Sequence, residues 1–283
     1  MSARCLLCDA ACPPRFRVNE HTIYRCAACD LEFVWPTPSP DALRAVYERG
    51  YFTGDGAGYD DYFGRERSIA ARKADARLDA LASVTRRRLG RLVDVGCAAG
   101  YFVEAAAARG WEAHGVEPSP EARQGMAPAV APRVAPSLDA LDGSFDAITF
   151  WDVLEHLPDP LATLREARAR LRPDGVLGVV VPVLGSVNTR LAPRSWDQYK
   201  PPEHLWFFSR GAMRSLLLRG AGARVVREEV AWRRDARFVD PEGRSKNLLV
   251  RAARGLDGGL HRTLARVFPD ATVDSVAFYA RCE

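Results

Sequence analysis

An apolar run that ends in glycine-spaced turn residues and passes straight into an alanine-rich stretch constrains this chain most: Leu92-Val93-Asp94-Val95-Gly96-Cys97-Ala98-Ala99-Gly100-Tyr101-Phe102. Read by period and punctuation it predicts a strand, a tight loop and a helix start. Glycine lacks the Cβ that would keep a ligand from the backbone N–H groups, and a helix N-terminus adds partial positive charge at the same place. A ligand is therefore expected over this turn, with Gly96, Cys97, Gly100, Tyr101 and Phe102 around it.

From Leu89 onward strands and helices alternate, which predicts an α/β domain with a parallel sheet. The expected strands are Arg91 to Val95, Trp111 to Val116, Arg133 to Ala135, Phe145 to Phe150 and Val176 to Val181, then Ala223 to Val230 and Asp274 to Cys282. Helices are expected from Tyr101 to Arg109, from Asp159 to Leu171 and, capped by Ser209, to Leu218. Glu117 ends the second strand about 20 residues beyond the turn, where an acid can accept hydrogen bonds from a ribose diol. Trp151 and Asp152 fall at the carboxyl end of the fourth strand, the edge where open α/β sheets place their ligands. The turn is not a dinucleotide fingerprint, because Ala98 and Tyr101 stand where its second and third glycines belong; hydride transfer is disfavoured.

Five of the seven cysteines lie in the first 29 residues. Cys5-Leu6-Leu7-Cys8 and Cys26-Ala27-Ala28-Cys29 form two Cys-x-x-Cys knuckles, a spacing that suits a closed, structural four-thiolate zinc site. A module of this size buries too little core to fold unaided, so bound zinc is expected to hold it together. Cys12 is a spare thiol. Three prolines in Val34 to Pro40 end this ribbon, placing a zinc module at residues 1–38 and a linker with N-terminal helices at 39–88. In that linker Asp41 is expected to cap a helix over 42–48, Gly50 to Tyr59 to form a loop over the ligand, and Arg65 to Thr85 to be an amphipathic helix. Residues 89–283 form the main domain. Within it, 183–209 fits neither period well and is expected to be a substrate lid.

The formal charge of +4 is weaker than the basic face of a dedicated nucleic-acid binder. No apolar run approaches the roughly 20 residues of a membrane span, and the first residues lack a signal core. The expected setting is cytoplasmic, with a small-molecule partner and no membrane.

In combination these stretches resemble class I S-adenosylmethionine-dependent methyltransferases. Asp94, Gly96 and Gly100 match the first motif, with Ala98 in place of its middle glycine and Glu117 as the ribose acid. Phe145-Asp146-Ala147-Ile148, Val153 to Leu157 and Leu171-Arg172-Pro173-Asp174-Gly175 look like later motifs. The resemblance covers about residues 89 to 230. It implies a Rossmann-like fold, a mostly parallel seven-stranded sheet with an antiparallel last strand, here preceded by a small zinc ribbon. The ribbon together with Tyr199, Glu203-His204-Leu205 and Phe207-Phe208-Ser209 is similar to bacterial natural-product and deoxysugar methyltransferases. By that likeness His204 is the first candidate base, Glu203 orients it and Tyr199 binds substrate, with His156 a competing candidate.

Methyl transfer from a sulfonium needs positioning above all, while a hydroxyl or carbon acid must also lose its proton, which an imidazole can accept near neutral pH. An RNA base methyltransferase using the zinc module is the first alternative, opposed by the thin basic content of the first 40 residues. A non-catalytic binding protein on the same fold is the second, opposed by the intact Asp94, Gly96, Gly100 and Glu117.

Overall fold

A computed structural model describes residues 2–47, 65–85, 90–186, 189, 193–233 and 273–282. Three strands, β1 (Pro14–Val18), β2 (His21–Arg25) and β3 (Glu32–Val34), form an antiparallel meander, followed by α1 (Pro40–Tyr47) and α2 (Arg65–Val84). Next come β4 (Arg91–Val95), α3 (Tyr101–Ala108), β5 (Glu112–Val116), α4 (Pro120–Gln124), β6 (Val134–Ala135), β7 (Phe145–Trp151) and α5 (Pro160–Arg170). The chain continues through β8 (Leu171–Leu184), β9 (Trp206–Ser209), α6 (Arg210–Ala221), β10 (Ala223–Arg233) and β11 (Val273–Cys282).

Strands β6, β5, β4, β7 and β8 lie side by side in parallel. Beyond β8 the last strand, β11, runs antiparallel to both β8 and β10. The mixed α/β sheet expected from the sequence is thus present. All of β7 and the Val176 to Val183 part of β8 are buried, as strands covered on both faces must be. Helix α3 turns Phe102, Val103 and Ala106 into that core. Asp159 caps α5, Ser209 caps α6, and Gly222 at φ 60° ends α6 in the left-handed conformation that glycine adopts without a Cβ penalty.

Local differences from expectation have local causes. Ser39, not Asp41, caps α1: its Oγ accepts the Ala42 N–H at 3.2 Å, and Pro40 occupies the first helical position, where no N–H is needed. Strand β8 starts at Leu171 rather than Val176, because Leu171 pairs with Phe145 before the chain passes Asp174 at φ 62°. Strand β9 was not expected at all. It pairs in parallel with the tail of β8 (Val183 with Phe208, Leu184 with Ser209) and antiparallel with β3 (Glu32 with Phe207, Phe33 with Trp206). The N-terminal meander is therefore an extension of the main sheet, and its Leu31 and Phe33 share one core with Leu205 and Phe208.

The segment expected to be a lid is mostly inside. Val183, Trp196, Tyr199 and Leu205 are buried, Trp196 and Tyr199 against Ile23, Val34 and Phe207 of the meander and β9. Apolar side chains at those positions gain more from burial than from covering a solvated site. The expected Gly50 to Tyr59 loop lies outside the described residues.

Candidate active site

The turn after β4 is built on backbone geometry. Gly96 and Gly100 have φ of 74° and 75°, and Ala98, at 47°, takes the left-handed conformation that its motif usually gives to glycine. Neither glycine tolerates a side chain: a Cβ on Gly96 would lie 2.7 Å from Val153 Cγ2, and one on Gly100 2.4 Å from Val130 Cγ1. The N–H groups of Gly96 and Cys97 both donate to Val116 O, at 2.8 and 3.0 Å, which ties the turn to the end of β5.

Glu117, just past that end, is buried and accepts two backbone N–H groups: Ala98 N to Oε2 at 2.9 Å and Ser119 N to Oε1 at 2.8 Å. Burial raises its pKa and those two bonds oppose the rise. A carboxylate has about four lone-pair sites, so both oxygens keep acceptor capacity for a ligand diol. Asp94 lies beneath, wholly buried, with Thr149 Oγ1 donating to its Oδ1 at 2.7 Å. Burial pushes it up to about 7 against the pull of that bond and of Arg77. Cys97 turns its Sγ inward, so close to Gly115 that a Cβ there would meet it at 2.6 Å. Expected as a ligand contact, Cys97 can serve only through its backbone.

Trp151 and Asp152, at the end of β7, are braced from α2. The Arg77 guanidinium lies 4.6 Å from the Trp151 ring centroid and 3.3 Å from Asp152 Oδ2. Phe102 packs edge-on against Trp151 at 5.2 Å, and Tyr101 opens α3 beside it. Trp151 Nε1 is buried with no hydrogen-bond partner among the described residues.

Next to this edge the structure brings together two copies of one triplet, Glu155-His156-Leu157 and Glu203-His204-Leu205. Leu205 N and Trp206 N donate to Glu155 O at 2.8 and 3.2 Å, and Trp206 Nε1 donates to Leu157 O at 2.7 Å. The two imidazoles meet edge to face, centroids 4.5 Å apart. His156 Nδ1 donates to Glu203 O at 3.0 Å and His204 Nδ1 to Gln198 O at 2.9 Å. A carbonyl only accepts, so both rings carry their proton on Nδ1 and present Nε2 as the lone-pair nitrogen. Burial lowers both pKa values, His204 further because His156 lies beside it. Glu155 is buried to 1% and neither carboxylate oxygen has a hydrogen-bond partner among the described residues. Burial, then the nearby Asp152 charge, pushes its pKa well up.

His204 thus lies beside His156, with its own Nδ1 held by Gln198 O, while Glu203 offers its backbone oxygen to His156. Glu155 was missed, although the repeated triplet was visible in the sequence. Tyr199 goes elsewhere. Its hydroxyl donates to buried Glu32 Oε2 at 2.6 Å, Arg15 holds the other Glu32 oxygen, and the ring packs on Phe16, Trp196 and Phe207. The substrate contact expected of Tyr199 is replaced by a link to the N-terminal meander, because a buried carboxylate needs every donor within reach.

Cys5, Cys8, Cys26 and Cys29 converge with all four sulfurs within 4.8 Å of one another, and Cys8 and Cys26 are 3.5 Å apart. None forms a disulfide. Sulfurs on a tetrahedral zinc ion stand about 3.8 Å apart, so the donor set fits. Each knuckle closes alike, Asp9 N on Cys5 O at 2.9 Å and Asp30 N on Cys26 O at 3.0 Å. Burial raises the Cys26 pKa, but hydrogen bonds from the Cys29 backbone and the Cys5 and Cys8 thiols bring it down to about 7. Cys12 Sγ points to Ala10 O at 3.4 Å.

A parallel sheet closed by an antiparallel strand, with a glycine turn and an acid at successive strand ends, defines a Rossmann-like class I methyltransferase architecture. The methyltransferase-domain family matches residues 64–228. The chain belongs to that family. A ubiquinone biosynthesis O-methyltransferase of Xanthomonas campestris is 37% identical over 145 residues, 44% of this chain and 61% of that protein. Its counterpart in Ralstonia nicotianae is 33% identical over 109 residues, 35% of this chain and 46% of that protein. The chain thus spans less than two thirds of these curated relatives. Among solved structures, a SAM-dependent methyltransferase from Archaeoglobus fulgidus superposes with a TM-score of 0.53 over 78% of this chain and 99% of that one, at 19% identity. A 1,6-didemethyltoxoflavin-N1-methyltransferase from Burkholderia thailandensis, bound to its substrate and S-adenosylhomocysteine, superposes with a TM-score of 0.50 over 95% and 98%, at 18% identity. Among the described residues no helix is long and apolar enough to cross a membrane.

Proposed function

We propose that the protein transfers a methyl group from S-adenosylmethionine to a hydroxyl or activated carbon of a small molecule, a sugar or natural-product intermediate, with zinc on Cys5, Cys8, Cys26 and Cys29 as a structural ion. The left-handed glycine turn joined to Glu117 carries the reading. Bound S-adenosylmethionine supplies an electrophilic methyl on a sulfonium. Glu117 accepts the ribose hydroxyls, the Gly96 to Gly100 backbone passes close to the ligand, and Trp151 Nε1 and Asp152 bound the site on the β7 side. His204, neutral and presenting Nε2, takes the acceptor's proton, and the Glu203 charge favours protonation of the neighbouring His156 ring. The O-methyltransferase activity named for the Xanthomonas and Ralstonia relatives supports oxygen as the methylated atom.

Calorimetry with S-adenosylmethionine tests the donor half. The whole protein should bind it, and Glu117→Gln should weaken binding by about tenfold or more, the scale of a hydrogen bond to a charged group. No measurable binding by the wild type would overturn the assignment. S-adenosylhomocysteine release with a panel of phenols and sugar alcohols tests the acceptor half, and steeply salt-dependent methylation of RNA in its place would favour a nucleic-acid substrate.

A further inference from the structure

We infer that Glu155, His156 and His204 form a second metal site, distinct from the four thiols, that takes a divalent transition-metal ion of borderline softness such as zinc. One ligand atom from each of the three lies within 4.8 Å of the others. His156 Nε2 and Glu155 Oε1 are 4.0 Å apart. Bound to one ion these atoms would stand about 3 Å apart, so a closure of roughly 1 Å by side-chain rotation completes the set. Two imidazoles and one carboxylate with positions left over make the donor set of hydrolytic zinc and non-haem iron centres. Second, both imidazoles are held as metal-bound imidazoles are, with Nδ1–H fixed on a backbone carbonyl, which leaves Nε2 as the lone-pair nitrogen. Third, Glu155 is buried with both oxygens unpartnered among the described residues, a costly arrangement that a cation would relieve. Both triplets lie in turn segments outside the named strands, and hydrogen bonds from Leu205 N and Trp206 N to Glu155 O hold them in register.

The inference rests on the methyltransferase reading only for what the ion does. At the carboxyl edge of β7 an acceptor oxygen can take an open position on the cation. Its O–H would then ionise at neutral pH, the proton leaving to water, and His204 would serve as the proton's acceptor only in the metal-free protein.

The test is metal stoichiometry on the whole protein loaded with Co²⁺ under reducing conditions. Two equivalents per chain are expected. One should show intense thiolate charge-transfer bands in the near ultraviolet, and the other only weak visible bands. Glu155→Gln and His204→Ala should each weaken the second equivalent by about 100-fold or more and leave the thiolate bands intact, beyond the 10–100-fold loss caused by removing a supporting hydrogen bond. Retained thiolate bands and an unchanged near-ultraviolet circular dichroism spectrum show that the variants fold, and the near-isosteric Glu155→Gln covers the case in which His204→Ala does not. A single equivalent in the wild type, or a second one indifferent to both substitutions, overturns the site. S-adenosylmethionine binding measured on the same preparations keeps this outcome separate, since failure of the donor reading leaves the metal count unchanged.

Discussion

At the scale of single residues, two side chains hold conformations or protonation states that cost the fold something. Ala98 lies at φ 47°, where an L-residue with a Cβ is strained by about 1 kcal/mol or more relative to glycine. Ala98→Gly should raise the stability of the protein by about 1 kcal/mol, read as the denaturant midpoint at unchanged slope, and should not weaken cofactor binding. A loss of stability would mean that the Ala98 methyl packs against something worth more than the strain. Asp94 is the other. Its pKa rises from the ordinary 3.8 to about 7 through burial. Because the folded state holds this proton more tightly than the unfolded chain, the group destabilises the fold increasingly as pH rises from about 4 to about 7, and the penalty is complete above that. The shift corresponds to an upper limit of about 4 kcal/mol. Asp94→Asn should therefore raise the thermal midpoint more at pH 8 than at pH 5. An equal effect at both values would show that Asp94 is already ionised at the lower pH.

At the scale of elements, a strand, β9, stands within the stretch that the sequence assigns to a lid. Its residues Trp206 and Phe207 pair with β3, its neighbour Leu205 donates to Glu155 O, and Tyr199 just before it bonds to Glu32. Tyr199→Phe should cost about 1–2 kcal/mol of stability by removing one donor from a buried carboxylate that Arg15 still partners. Steady-state turnover at saturating acceptor should change by less than about threefold. A 100-fold fall in kcat with unchanged stability would return Tyr199 to the chemistry. The elements from β4 to α6 were legible because period, caps and glycine turns are local: Ser209 and Asp159 cap the helices predicted for them, and Arg91 to Val95 is a strand within its predicted bounds. Strand β9 was not, because Trp-Phe-Phe-Ser has no alternation and its pairing depends on β3, about 170 residues away. A shorter separation, about 50 residues, hid Glu155. Nothing local distinguishes it from a helix-leading acid until Glu203-His204-Leu205 is folded against it.

At the scale of the whole molecule, the four-cysteine meander and the methyltransferase sheet form one hydrogen-bonded unit. Leu31 and Phe33 from the meander share a core with Leu205, Trp206 and Phe208, while Ile23 and Val34 cover Trp196 and Phe207. A free-standing ribbon would lose its metal and unfold alone, leaving the larger domain untouched. Here, loss of the meander would uncover β9 and the hydrogen bonds that hold Glu155 against Leu205. If the Cys5, Cys8, Cys26 and Cys29 set holds zinc, its binding free energy is also folding free energy for the sheet edge beside the proposed acceptor site. Cys26→Ser should then lower the thermal midpoint of the whole protein in one transition, not create a separate early one, and should weaken acceptor binding more than S-adenosylmethionine binding. The donor turn, at Gly96 to Gly100, is separated from the meander by β7, β8 and β9 in the sheet. Differential scanning calorimetry with ligand titration reads both effects. Two resolved transitions, or equal losses for donor and acceptor, would show that the meander is an independent module despite the strand it shares with the sheet.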